Sequence, residues 1–241
     1  MMSDEPDNER IRLNTPPHTT TIQFGSAWNI VSPAVYRYEN KEWIDQFFAT
    51  GALRLSSFAQ FSTYRDEFRG DTQEGHGICF GETKENNTVV IAQAQDVGAA
   101  VFCCSYRLDH KMREEFGRDS AFQISNTVGF ALEISRQLAG FRHGLEGACL
   151  YRSDTSIKRA IDFDIEEYRL PDGNLDMRLI SDSGRKLGGP ELLLMKRKRY
   201  EAQQEYRLIW ELDDLKENFI DVFAPLARQY CRQVVRADWD D

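Results

Sequence analysis

The chain has 241 residues, of which 41% are hydrophobic and 12% aromatic, and this length suits one large domain with a sizeable core. Its formal charge of −9 and its pI near 5.1 disfavour a non-specific nucleic-acid binder, which normally has a basic surface. The five cysteines lack the spacing of zinc ligands, so we expect buried free thiols in a reducing compartment. The polar start and the lack of a membrane-length apolar run predict a cytoplasmic protein that does not contact membranes.

Residues 1–20 are polar and contain prolines and a threonine cluster, which predicts a flexible leader. We expect residues 21–241 to form a single domain. In it, residues 35–38 alternate aromatic side chains as a short strand does, and residues 41–49 have the apolar spacing of a helix. A glycine follows this helix, and residues 52–56 then alternate as a second strand.

Residues 99–106 are almost purely apolar, which predicts a strand that is buried on both faces. Other predicted strands cover residues 121–125, 148–152, 161–168 and 218–222, and other predicted helices begin near residues 109, 127 and 225. The strands and short helices mix without a βαβ rhythm. The sequence therefore predicts an α+β fold with a split, mostly antiparallel β-sheet and short flanking helices.

Glu205 is the first residue of another predicted core strand. The polar segment 196–204 ends before it, and an apolar, aromatic run follows it. Ladder hydrogen bonds would hold such a carboxylate rigidly at the rim of a sheet, as enzymes that break glycosidic bonds require. The alternative is a surface glutamate that ends an edge strand. The basic run 196–199 is either a nucleic-acid contact or a solvated loop before the strand.

Three further sets of polar residues could accompany Glu205. Arg37 lies in the aromatic strand, where its planar guanidinium could grip a phosphate or simply pair with a carboxylate. Ser56 and Ser57 follow the second strand and could orient a ribose or the carboxylate, or form an ordinary turn. Gln203 precedes Glu205 by two positions, and alternate strand positions point to one side, so it could orient a nucleophile.

The order of these patches resembles the mono-ADP-ribosyltransferase pattern of Arg, Ser-x-Ser and Gln/Glu-x-Glu. The resemblance implies an ADP-ribosyltransferase-like fold with NAD as the substrate. It implies that Arg37 holds the dinucleotide and that Ser56 or Ser57 steadies the glutamate. Glu205, helped by Gln203, would then drive the loss of nicotinamide through an oxocarbenium-like state.

The same resemblance implies a ring that stacks on nicotinamide, and Tyr38 and Tyr64 are the candidates. One departure from the pattern is Ser-Ser-Phe at residues 56–58, where the family has Ser-Thr-Ser. This departure leaves the role of the serines open.

A wider resemblance covers most of residues 35–211. The strands at 35–38 and 52–57, the segment 65–75 and the run from Gln204 to Leu208 are similar to a bacterial family of unknown function. Some of its relatives occur in phage-defence and toxin–antitoxin settings. This implies a toxin that transfers ADP-ribose from NAD to a macromolecular acceptor, either RNA, DNA or protein, with an antitoxin protein as a further partner. No metal cofactor is expected.

Two other functions are compatible with the sequence. The chain could be a non-catalytic, partner-binding defence or regulatory protein that uses its aromatic surface and its leader. It could also be a metal-dependent nuclease, because carboxylates that lie close together can bind Mg²⁺. The carboxylates concerned are Asp66, Glu67, Asp71 and Glu74. Arginines interleaved among them favour a network of ion pairs within the segment instead.

Overall fold

The structure is a computed structural model that describes residues 19–24, 28–61, 63, 71, 74–83, 88–93, 98–180, 183, 189, 191–235 and 238–239. Its strands, in chain order, are β1 (Thr19–Phe24), β2 (Trp28–Pro33), β3 (Val35–Glu39), β4 (Ala52–Ser57), β5 (Gly77–Glu82), β6 (Thr88–Gln93), β7 (Ala99–Ser105), β8 (Ser120–Ile124), β9 (Phe141–Ala148), β10 (Leu150–Arg152), β11 (Ser156–Ala160), β12 (Met195–Arg197), β13 (Glu205–Leu212), β14 (Phe219–Phe223) and β15 (Cys231–Gln233). Its helices include α1 (Lys41–Thr50), α2 (Phe58–Phe61), α3 (His110–Glu115), α4 (Thr127–Ser135) and α5 (Glu191–Leu194). Turns of 3₁₀ helix cover Ile165–Tyr168, Lys198–Gln203 and Pro225–Tyr230.

The largest sheet has eight strands and is antiparallel throughout. Its strands follow the order β14-β4-β7-β3-β8-β15, and β13 pairs with both β7 and β9. Three smaller units accompany it: the hairpin β1–β2, the sheet β11-β5-β6 and the short parallel pair β10–β12. The predicted class, α+β with a mostly antiparallel sheet, is therefore confirmed.

The large sheet splits at β7. One edge of β7 pairs with β13 along its whole length, from Ala99 to Ser105. The other edge pairs with β4 at Ala100 and Val101, and with β3 at Ser105. Because β3 and β4 both run antiparallel to β7, they are parallel to each other, and α1 connects them. We call the gap between β3 and β4 the fork.

Each face of the sheet has its own apolar core. On β13, Tyr206, Leu208 and Trp210 belong to the larger cluster, which also contains Phe102 of β7. Ile209 lies between them in sequence and belongs to the cluster on the opposite face. Fully burying a large apolar side chain contributes on the order of 1.5–3 kcal/mol, so these two strands anchor the sheet from both faces. The almost purely apolar sequence of β7 is typical of a strand in this position.

Helix α1 confirms the predicted helix over residues 41–49 and connects β3 to β4. Gly51 ends it in the left-handed conformation, with a φ of 87°, and its N–H donates to the Phe47 carbonyl at 2.7 Å. This conformation is readily available to glycine and costly for other residues, which explains why the helix ends there.

The predicted strand over residues 161–168 is wrong. The strand in this part of the chain is β11, which ends at Ala160, and a 3₁₀ turn covers Ile165–Tyr168. The Asp164 carboxylate accepts the Glu166 N–H at 2.9 Å, and such a local hydrogen bond competes with the pairing of a strand. At the start of the chain, β1 begins at Thr19, within the segment predicted as a leader, and residues 1–18 lie outside the described residues.

Among the residues that the structure describes, no helix is both long enough and apolar enough to cross a membrane.

Candidate functional site

A cavity of about 100 Å³ opens at the fork, and we call it the inner cavity. Five of the predicted site residues line it, together with a lysine from the basic run. These residues are Arg37, Tyr38, Ser56, Gln203, Glu205 and Lys196. The fold therefore brings side chains from remote parts of the chain to one place beside β7.

A second cavity of about 550 Å³ adjoins the first, and we call it the outer cavity. Helix α1 and the strands β4 and β14 contribute much of its lining. Arg37, Ser56 and Arg118 line both cavities, so these three side chains lie between the two spaces. Ligand sites in proteins commonly measure about 300–1,000 Å³, a range that the outer cavity reaches and the inner cavity alone does not.

Arg37 lies in the fork itself. Its Nη1 donates to the Cys103 carbonyl at 2.8 Å, its Nη2 is 3.2 Å from Glu39 Oε2, and its guanidinium is 4.6 Å from the centre of the Phe102 ring. Burial is the largest single influence and opposes its charge, but the neighbouring groups, with Glu39 first among them, together outweigh it and the pKa of Arg37 is raised. Arg37 therefore stays cationic. Where β3 and β4 have diverged, its guanidinium donates to the Cys103 carbonyl of β7 the hydrogen bond that a neighbouring strand would otherwise supply.

Glu205 opens β13 as predicted, and it is 5% exposed. Lys196 Nζ donates to its Oε2, and Arg207 Nε donates to its Oε1 at 2.6 Å. Arg207 also pairs with Glu74, whose Oε2 lies 3.6 Å from Lys196 Nζ. We call these four residues the buried ion cluster. Because β13 pairs with strands on both edges, Glu205 does not end an edge strand.

The backbone of Glu205 is fixed on both sides. Its N–H donates to Tyr151 Oη at 2.7 Å, and its carbonyl accepts the Cys149 N–H at 2.9 Å. The preceding residue, Gln204, has a φ of 43°, in the left-handed region that non-glycine residues seldom adopt. Strain of this kind costs on the order of 1–3 kcal/mol and occurs preferentially at functional sites.

Gln203 reaches the inner cavity by a different route from the one predicted. It lies in the 3₁₀ turn Lys198–Gln203 and not in the strand, so strand alternation does not orient it. Its carbonyl accepts a hydrogen bond from Ser105 Oγ at 2.8 Å, and the residue is 2% exposed. The left-handed Gln204 then reverses the chain direction, and Gln203 and Glu205 both line the cavity.

The two serines have different positions. Ser56 pairs with Val101 and Ser57 with Ala100, so their side chains point to opposite faces of the sheet. Ser56 lines both cavities. Ser57 is buried on the side of the larger core, and its Oγ has no hydrogen-bond partner among the described residues. The geometry therefore favours Ser56 over Ser57 as the site residue.

Tyr38 uses its hydroxyl and its ring for contacts within the protein. Its hydroxyl donates to the Arg107 carbonyl at 2.7 Å and accepts the Asp109 N–H at 3.0 Å. Its ring packs against Phe116 and Trp239, with centroid distances of 5.5 and 6.1 Å. Only 6% of Tyr38 is exposed, so it forms part of the cavity wall and has little surface on which a nicotinamide ring could stack. Tyr64, the other predicted stacking residue, lies outside the described residues.

Two thiols, one buried and one partly buried, lie against Glu205. Burial, reinforced by the neighbouring Glu205 carboxylate, raises the pKa of Cys103 and of Cys149 well above the ordinary thiol value. Both thiols therefore stay protonated near neutral pH, and neither is suited to act as a nucleophile.

The structure describes two of the four carboxylates in the predicted acidic cluster. Asp66 and Glu67 lie outside the described residues. Asp71 pairs with Arg197 and Glu74 with Arg207, so their cationic partners include residues from the far end of the chain. In the part of the chain that the structure describes, no three His, Cys, Asp or Glu side chains are grouped so that they could hold a metal ion.

No family model, curated protein or solved structure matches this chain. The candidate site is accordingly argued from its own geometry.

Sequence reasoning missed Lys196 and Arg207. A signal for Arg207 was present, because it lies two positions after Glu205 in an otherwise apolar strand, and such positions share a face. Lys196 belongs to the basic run interpreted as a solvated loop, but it is 8% exposed and lies in β12. Its burial depends on the parallel pairing of β12 with β10, a long-range contact that no local pattern reveals.

Proposed function

We propose that this chain is an NAD⁺-dependent ADP-ribosyltransferase whose reaction takes place in the inner cavity. The observation that carries the proposal is the convergence of Arg37, Ser56, Gln203 and Glu205 on one cavity at the fork. These residues come from three parts of the chain that are remote in sequence. The split of the sheet at β7 supports an ADP-ribosyltransferase-like fold, since the split creates the cleft that a dinucleotide needs.

In the proposed reaction, the bond between the ribose carbon and the nicotinamide nitrogen breaks, and its electron pair leaves with nicotinamide. The Glu205 carboxylate stabilises the positive charge that develops on the ribose. The nucleophile of the acceptor, oriented by Gln203, then bonds to the ribose carbon and releases its proton. Arg37 binds the pyrophosphate through its planar guanidinium.

Lys196 has to be accommodated in this scheme because it pairs with Glu205 from the cavity side. Burial is the largest single influence and opposes the charge on Lys196, but the neighbouring groups, with Glu205 first among them, together outweigh it and the pKa of Lys196 is raised, so the ammonium persists. A lysine ammonium sits on a flexible stem, unlike the rigid fork of an arginine. We propose that it turns towards the phosphates of the bound dinucleotide and leaves Glu205 Oε2 facing the ribose, while Arg207 holds the carboxylate from behind.

On the family resemblance given above, we further propose that the acceptor is a macromolecule, either nucleic acid or protein. The same resemblance supports a role as a toxin in a toxin–antitoxin or anti-phage system, with an antitoxin as partner. Expression of the chain alone should then slow the growth of cells. Glu205→Gln should relieve this effect.

The direct test measures nicotinamide release from NAD⁺, with label on the ADP-ribose followed into added RNA, DNA and protein. Glu205→Gln should reduce the rate about 10²–10³-fold, the usual effect of removing one preorganised electrostatic group. The matched control is Glu211→Gln, which changes a carboxylate in the same strand that pairs with His143 at 3.0 Å, and it should leave the rate unchanged.

Because Glu205 belongs to the buried ion cluster, the folded fraction of each variant has to be measured alongside its rate. If Glu205→Gln does not fold, Gln203→Ala and Arg37→Lys provide the test, since both should lower turnover in folded protein. Nicotinamide release at the parent rate by folded Glu205→Gln would overturn the assignment.

A further inference from the structure

We propose that the outer cavity is a nucleotide site, in which exposed aromatic rings take the base and arginines take the phosphates. The identity of the nucleotide, the ADP half of NAD⁺, rests on the proposed function. The existence of the site rests on the side chains of the outer cavity alone.

The first observation is a set of exposed rings at one cavity. Trp43 of α1 is 54% exposed, and Phe219 and Phe223 of β14 are 38% and 60% exposed. All three line the outer cavity. Phe219 and Phe223 are four positions apart in one strand, so they share a face. Rings left in water at a concave site are suited to stack on a nucleobase, which has a flat apolar face of its own.

The second observation is an excess of positive charge at the same place. Glu39 is the carboxylate partner of both Arg37, at 3.2 Å, and Arg118, at 2.6 Å. Arg54 pairs with Asp221 at 2.6 Å and lies 5.3 Å from the centre of the Phe219 ring. Among the described residues that line this cavity, three are arginines and two carry carboxylates, within a chain whose formal charge is −9. A local positive excess in an acidic protein favours an anionic ligand, and guanidiniums match phosphate geometry.

The third observation is that the two cavities share part of their lining. Arg37, Ser56 and Arg118 line both of them, so phosphates placed there would lie between the two spaces. A base would extend into the outer cavity, whose volume of about 550 Å³ suits a ligand of this size. The other end of a dinucleotide would reach Glu205 in the inner cavity.

The test is equilibrium binding of ADP to the full chain, followed by calorimetry and by tryptophan fluorescence. Trp43→Ala and Phe223→Ala should each weaken binding roughly 5- to 150-fold, the cost of losing one stacked base, and Arg118→Gln should weaken it further. Adenosine, which lacks phosphate, should bind more weakly than ADP. The matched control is Leu132→Ala, because this residue of α4 is 53% exposed and does not line the outer cavity, and it should bind ADP as the parent does.

The outcomes separate this inference from the proposed function. ADP binding that depends on Trp43 and Phe223 supports the site even if the protein releases no nicotinamide from NAD⁺, in which case the transferase proposal fails alone. If Trp43→Ala and Phe223→Ala are folded and bind ADP as tightly as the parent, the site is overturned, whatever the transferase activity. Absence of ADP binding to the parent chain at millimolar concentration would overturn it equally.

Discussion

At the scale of single residues, the site depends on charges that are almost completely removed from water. Lys196, Glu205, Arg207 and Glu74 are each less than 10% exposed and neutralise one another in pairs. A buried ion pair gains little stability overall, but removal of one partner leaves a charge that water cannot solvate. The cluster therefore positions Glu205 and also makes the fold sensitive to changes at the site.

Arg207→Met should lower the free energy of unfolding by about 3–5 kcal/mol, because it leaves Glu74 and Glu205 with Lys196 as their remaining partner in the cluster. Urea denaturation measures the effect. The matched control is Arg142→Met, since Arg142 pairs with Asp213 where both side chains are more than half exposed. This control should cost at most about 1 kcal/mol. Equal losses for the two variants would contradict a buried, mutually neutralised cluster.

Glu146 gives a prediction about pH. Burial raises its pKa above the ordinary value of 4.5, although Thr127 and Tyr206 donate hydrogen bonds that act in the opposite direction. Because the pKa of Glu146 is higher in the folded protein than in the unfolded chain, protonated Glu146 favours the folded state. This contribution to the free energy of unfolding is fully present below pH 4.5 and is lost as the pH rises through the pKa of the folded state. Glu146→Gln should therefore stabilise the protein at pH 7 relative to the parent, and the gain should shrink towards pH 4. Denaturation curves at both values measure this, and a gain that grows at acid pH would be contrary to it.

At the scale of elements, helix α1 connects β3 to β4, the two strands that border the fork. Its end is packed tightly: a Cβ at Gly51 would lie 2.4 Å from the Pro225 backbone. Gly173 has nearly the same φ, 86° against 87°, but a Cβ there would meet no atom within 4 Å. A comparison of alanine substitutions at the two glycines therefore distinguishes the loss of folding free energy caused by the left-handed backbone from the loss caused by the close contact.

Gly173→Ala should cost about 1–2 kcal/mol, the strain of a left-handed alanine. Gly51→Ala should cost several kcal/mol more, because the backbone of the turn at Pro225 has to move away. Chemical denaturation of both variants measures the difference. If the two substitutions prove equally costly, α1 is not held against this turn in the way described.

Elements whose apolar residues follow a clear period could be predicted from the sequence. Helix α1 and the strands β3, β4 and β7 are found where the sequence places them. Strand β9, by contrast, was largely missed, since it begins Phe-Arg-His-Gly and has few apolar residues. It forms because β13 offers it an edge to pair with over most of its length, which is a long-range effect.

The candidate site likewise contains residues that could be predicted from the sequence and residues that could not. Arg37, Ser56 and Glu205 could be named because each occupies a defined position in a predicted strand, and the fold brings them to one cavity. The pairing of Glu205 with Lys196 could not be derived, and neither could the approach of Glu74 to Lys196, since both arise only through the three-dimensional packing. Local patterns thus identify which side chains are unusual in their strands, but they do not reveal which charges neutralise them.

At the scale of the whole molecule, the split in the sheet organises the candidate site. β7 pairs with one strand along one edge and with two diverging strands along the other, so a cleft forms in the middle of the largest sheet. Arg37 lies in this cleft, Glu205 lines the inner cavity and the aromatic rings line the outer cavity. The account therefore depends on one ligand that spans both cavities through the fork.

A crystal structure with a carbocyclic analogue of NAD⁺, whose link to nicotinamide does not cleave, tests this claim most directly. We expect the pyrophosphate on Arg37, the ring that replaces the ribose within hydrogen-bond distance of Glu205, and the adenine between Trp43 and the phenylalanines of β14. An analogue bound elsewhere on the molecule at saturation, with the fork still closed by Arg37 and Glu205 still paired with Lys196, would contradict the account.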